Sequence, residues 1–77
     1  MQWKDRITVD SNVCHGKPCF KGTRVMVSVV LDNLAAGEPV ESILKGYHLQ
    51  KDDIHAALQY AAELARDRVI SLPLGAA

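Results

Sequence analysis

The stretch Cys14-His15-Gly16-Lys17-Pro18-Cys19 puts two thiols and an imidazole within six residues, and thiolate and imidazole nitrogen are both good zinc ligands. His48 or His55 would have to complete such a site, because no second cysteine pair exists and the spacing is not that of the usual paired-cysteine loops. A cysteine nucleophile would need a base and an orienting group, and the side chains of adjacent Cys14 and His15 are expected to point apart. The expected reading is therefore two structural thiols, with no metal, no cofactor and no catalytic role. No phosphate-binding glycine loop, Ser-His-Asp set or Walker pattern occurs, so the chain is not read as an enzyme.

A second kind of chemistry lies in the charges. Nine basic and nine acidic residues cancel overall, which argues against a protein held on nucleic acid by bulk charge. The two parts of the chain differ, however. Residues 1–25 carry five cations against two acids, and residues 26–77 carry four against seven. Any polyanion-binding surface is expected near the N-terminus, where Lys17, Lys21 and Arg24 share one short segment. Arg24 would contact a phosphate or an acidic partner, or else tie this segment to a carboxylate in its own fold or across a dimer.

The elements that must carry these residues follow from periodicity. Arg6 to Asp10 alternates with β-branched residues at its centre and predicts a short strand; Pro18 to Gly22 predicts a second. Val27, Val30, Leu31 and Leu34 give the stripe of an amphipathic helix ending at Gly37. Pro39 suits the first turn of a second helix with Val40, Ile43, Leu44 and Tyr47 on its apolar face, and Gly46 is expected to stop it. A third helix carries Ile54, Ala57, Leu58, Ala61, Leu64 and Ala65 as its stripe. Asp52 and Asp53 fall in its first turn, where the helix dipole favours anions. Gln50 is its expected but weak N-cap, with Leu49 and Ile54 as a hydrophobic staple. The fold class is thus mainly α: a β-arm over 1–25, a three-helix core over 26–66 and an apolar tail over 67–77, all in one domain.

A chain this short buries only about 60% of its unfolded surface, so dimerisation is expected to complete the fold. A two-stranded sheet alone is marginal, which favours strand pairing across that dimer. No signal-peptide core or membrane-spanning stretch is seen, and two cysteines are too few for a disulfide scaffold. The chain reads as cytoplasmic, with no membrane partner.

Two helices followed by a longer one suggest a helix-turn-helix, although a turn through Gly46–Gln50 exceeds the usual 3–4 residues. Gln50, Lys51 and His55 could then reach base edges, against the repulsion of Asp52 and Asp53. A three-helix core with no DNA role fits these features equally. His48 and His55 are otherwise read as surface residues.

Gly16-Lys-Pro-Cys-Phe-Lys-Gly-Thr-Arg-Val25, with Val27-Ser28, Leu34-Ala-Ala-Gly37 and Ala56-Ala-Leu-Gln-Tyr-Ala61, resembles the bacterial domain-of-unknown-function family 433 from about Arg6 to Leu64. The resemblance implies a helix-turn-helix-like core behind a β-arm. It further implies an antitoxin-like protein paired with a PIN-like nuclease toxin, repressing its own operator DNA as a homodimer. Two departures stand out: Gln50 where Thr or Ser commonly caps the third helix, and Cys14 and Cys19 where residues are often apolar or small. In this picture Lys17, Lys21 and Arg24 would touch phosphates, and Gln50, Lys51 and His55 would face the groove. The apolar tail residues Val69, Ile70, Leu72 and Leu74 would pack on their own domain or, in this picture, meet the toxin. The alternative is a dimeric protein-interaction module that never binds DNA. In the Gly-Thr-Arg motif, Gly16 and Gly22 would permit positive φ, and Thr23 would satisfy backbone groups where the arm enters the first helix.

Overall fold

The computed structural model describes residues 2–67. Two short strands, β1 (Ile7–Thr8) and β2 (Cys19–Phe20), pair antiparallel with Ile7 opposite Phe20 and Thr8 opposite Cys19. Three helices follow: α1 (Val27–Ala35), α2 (Val40–Tyr47) and α3 (Lys51–Asp67). Among the described residues no helix is long and apolar enough to cross a membrane. The strands are shorter than the alternation predicts, with Asp10 only bridging back to Val13. They pair within the chain, so the expectation of pairing across a dimer is not met here. The marginal ribbon is stabilised by packing on the helices, which places Phe20 at the centre of the core.

That core is formed by Phe20, Val27, Val30, Ile43, Leu49, Ile54 and Ala57, with Ile7, Leu31, Leu34, Leu44, Tyr47 and Tyr60 packed around it. The arm is thus part of the core. The chain reaches α1 through a turn in which the Thr23 amide donates to the Phe20 carbonyl at 3.0 Å, with Gly22 at φ +77°. The Thr23 hydroxyl donates to the same carbonyl at 2.7 Å and accepts from the Val25 amide at 3.0 Å, the backbone-satisfying role expected of it. The Val27 amide then donates to the Pro18 carbonyl, fixing the start of α1 to the arm.

Both short helices end at a left-handed residue, and α1 ends in a full Schellman motif. After α1 the Glu38 amide donates to the Asn33 carbonyl and the Gly37 amide to that of Leu34, with Gly37 at φ +84° as its spacing predicts. Pro39 is the N-cap of α2 and does not enter its first turn. Gly46 does not stop α2 but lies within it. The stop is His48, left-handed at φ 56°, followed by the buried Leu49, whose amide donates to the Leu44 carbonyl at 3.0 Å. Here the apolar residue after the left-handed position anchors the turn, and His accepts the backbone strain.

α3 is rotated relative to its predicted stripe. Asp53, Ile54, Ala56 and Ala57 are buried, whereas Leu58 is 50% and Leu64 37% exposed. The reason is the arm. Trp3 meets Tyr60 edge-on with ring centroids 5.5 Å apart, Arg6 reaches Asp53, and the small side chains of Ala56 and Ala57 sit fully buried. A stripe counted from hydrophobic residues alone omits the flank that an aromatic and an ion pair claim.

Candidate functional site: the start of helix α3

Only His48, Leu49 and Gln50 separate α2 from α3, so the connection has the three-residue length of a helix-turn-helix and is shorter than the sequence suggests. With Leu49 buried, the start of α3 presents Gln50, Lys51, Asp52 and His55 at the surface. Asp53 turns the other way and is 8% exposed. Its Oδ1 accepts from Arg6 Nε at 2.9 Å, and its Oδ2 accepts from the Gln50 amide at 2.9 Å. The second bond is half of a capping box, with Asp at the position three beyond the N-cap. Gln50 caps none of the first-turn amides of α3 with its side chain. Its backbone amide is held by Asp53, while its side-chain Oε1 accepts from Arg6 Nη2 at 3.2 Å.

This arrangement changes the charge at the helix start. Of the two acids expected to repel phosphates, Asp53 is buried and paired with a guanidinium, and only Asp52 stands in solvent. Arg6, Lys21, Asp5 and Asp53 line one open depression of about 210 Å³, and the Lys21 amide donates to the Arg6 carbonyl at 2.8 Å. Lys21 is thus brought beside the α3 start. Arg24 lines a different depression, of about 380 Å³, with Thr8, Asp10, Val13, Gly22 and Thr23. Lys17 borders a third, apolar one between α1 and α3, lined by Val27, Leu31, Tyr60 and Leu64. The three arm cations are all exposed but do not share one surface depression. Among the described residues Arg24 has no carboxylate partner; the tie between arm and helix is made by Arg6.

Sequence reasoning missed the Arg6–Asp53–Gln50 cluster. The spacing Gln50-x-x-Asp53 was its signal, one member away from the Ser/Thr-x-x-Glu/Gln box. Nothing in the spacing points to Arg6, which lies 47 residues from Asp53. Val69, Ile70, Leu72 and Leu74 lie outside the described residues. Among the described residues no group of three or more His, Cys, Asp or Glu side chains is gathered to hold a metal ion.

The geometry defines a class: a small three-helix domain with a short two-stranded N-terminal hairpin, braced by one part-buried ion pair. Within that class the chain belongs to the family described as "Protein of unknown function (DUF433)", whose model matches residues 7–61. That match starts at β1 and ends within α3, so it takes in both sides of the Arg6-braced junction except Arg6 itself. No curated protein and no solved structure matches the chain.

Proposed function

We propose that this protein is an antitoxin-type regulator of a bacterial toxin–antitoxin pair, binding a PIN-like nuclease toxin and, as a homodimer, its own operator DNA. The observation that carries the DNA half is the three-residue α2–α3 connection, which presents Gln50, Lys51 and His55 together while withdrawing the Asp53 charge into an ion pair. In such a module the N-terminal residues of the second helix meet base edges, and neighbouring cations position the backbone. Lys51 and Lys21 supply the phosphate contacts closest to that helix start. Gln50, whose carbonyl oxygen is occupied by Arg6, offers its amide hydrogens as donors, which suits acceptor edges such as those of guanine. Two copies would be required to read a paired half-site.

A second reading, a dimeric protein-interaction module with no DNA binding, is favoured by the zero net charge and by the exposed Leu58 and Leu64 on α3. Fluorescence anisotropy separates the two, using the duplex upstream of the gene and a scrambled duplex at low and physiological salt. The operator reading requires tighter binding to the native duplex that survives physiological salt, and a salt slope that falls by about 1 in Lys51→Ala. Equal, salt-abolished binding to both duplexes would leave the interaction module. Titrating a purified PIN-like nuclease with the protein and reading residual cleavage tests the toxin half directly.

A further inference from the structure

Three successive residues, Cys14 (φ 52°), His15 (φ 57°) and Gly16 (φ 78°), are left-handed, an arrangement that only the last adopts without strain. This turn curls the chain after the first strand back toward β2. As a result Cys14 and Cys19 address neighbouring carbonyls: Cys14 Sγ donates to the Arg24 carbonyl at 3.2 Å, and Cys19 Sγ to the Thr23 carbonyl at 3.6 Å. The two thiols thus address the carbonyls of consecutive residues in one tight turn, near enough for Cys14 to act on Cys19. They differ in access. Cys19 is fully buried, whereas Cys14 is half-buried and reached by solvent.

We propose that Cys14 and Cys19 form an oxidisable dithiol, a modification site at which a hydroperoxide converts the pair to an intramolecular disulfide. The thiolate of Cys14 attacks one peroxide oxygen and the O–O bond breaks. The departing alkoxide or hydroxide takes up a proton, leaving a sulfenic acid on Cys14. The Cys19 sulfur then attacks the Cys14 sulfur, the S–O bond breaks, and the hydroxyl group leaves as water with the proton from Cys19. Two thiols are oxidised by two electrons in total, and one hydroperoxide is reduced to an alcohol, or to water, plus water. Burial, and after it the neighbouring Cys14, pushes the Cys19 thiol up, which disfavours it as the group that meets the peroxide and leaves the first step to Cys14. Oxidation removes both S–H donors from the Thr23 and Arg24 carbonyls, so its effect falls on the turn that presents Arg24.

The test is intact-mass measurement and thiol titration of the full chain after one equivalent of hydrogen peroxide. The expected product is a monomer lighter by two hydrogens, with both thiols lost together and both restored by dithiothreitol. In Cys19→Ser the same treatment should leave a sulfenic acid on Cys14 that dimedone captures, and Cys14→Ser should slow peroxide loss of the Cys19 thiol at least about tenfold. Oxygen added to Cys14 with Cys19 still titratable in the wild type would overturn the proposal. So would a disulfide between chains, or two intact thiols under peroxide that fully oxidises a dithiothreitol control.

Discussion

At the scale of single residues, Asp53 has more consequence than any other polar side chain described. It accepts from a guanidinium and from a helix-capping amide while almost fully buried. Removing it takes the acceptor from a part-buried guanidinium and breaks the capping half-box at the start of α3. Asp53→Ala is therefore expected to lower stability by about 2 kcal/mol, read from urea unfolding at neutral pH. Asp53→Asn, which keeps an acceptor, should lose less. If Asp53→Ala were neutral, the Arg6 brace would be decoration. Cys19 gives a pH-dependent counterpart. Burial raises its thiol above the ordinary value of 9.0, so the folded state holds the proton longer than the unfolded one. The stability this contributes is present below pH 9.0 and is lost as pH rises through the higher folded value. Cys19→Ala should be less stable than wild type at neutral pH because of the cavity, with the gap narrowing above pH 9.0.

At the scale of elements, the three helices are set by their ends as much as by their faces. Gly37 and His48 occupy equivalent left-handed positions after α1 and α2, yet one is glycine and the other is not. Gly37→Ala should cost about 1 kcal/mol, since a Cβ is disfavoured at φ +84° although the space around it is open. His48→Gly relieves the strain at φ 56° and should gain about 0.5 kcal/mol, the released strain being partly offset by the entropy of a new glycine. Thermal unfolding by circular dichroism measures both, and shifts of the same sign would contradict the shared left-handed geometry. α1 and α2 are also joined by Asn33, whose Nδ2 donates to the Val29 carbonyl at 2.9 Å and to the Tyr47 hydroxyl at 3.1 Å. That bond ties the helix preceding the three-residue turn to its neighbour, so the α3 start is presented from a fixed base.

At the scale of the whole molecule, the arm and the helices are one cooperative unit. Trp3, the only tryptophan, stacks edge-on against Tyr60 near the middle of α3, while Phe20 fills the core from the second strand. Denaturation followed by Trp3 fluorescence should therefore coincide with denaturation followed by helical circular dichroism. An earlier fluorescence transition would mean that the arm leaves the helices before they unfold. Trp3→Ala should destabilise by about 2 kcal/mol, part of it the aromatic pair itself.

The sequence by itself determined the element order, the family, the Gly37 helix end and the Thr23 turn, because each rests on contacts between residues a few positions apart. Periodicity and turn chemistry are local, so they can be read locally. It also placed Gln50, Lys51 and His55 at the start of the third helix, where all three are exposed. What only the tertiary structure decided is how α3 is rotated, where α2 stops and what happens to the charge of Asp53. Those depend on an arginine 47 residues away, on a tryptophan at the arm's beginning and on Leu49 burying itself to close the turn. Each is a contact between segments distant in the chain, and side-chain type fixes what such a contact would contribute but not which distant residue will make it.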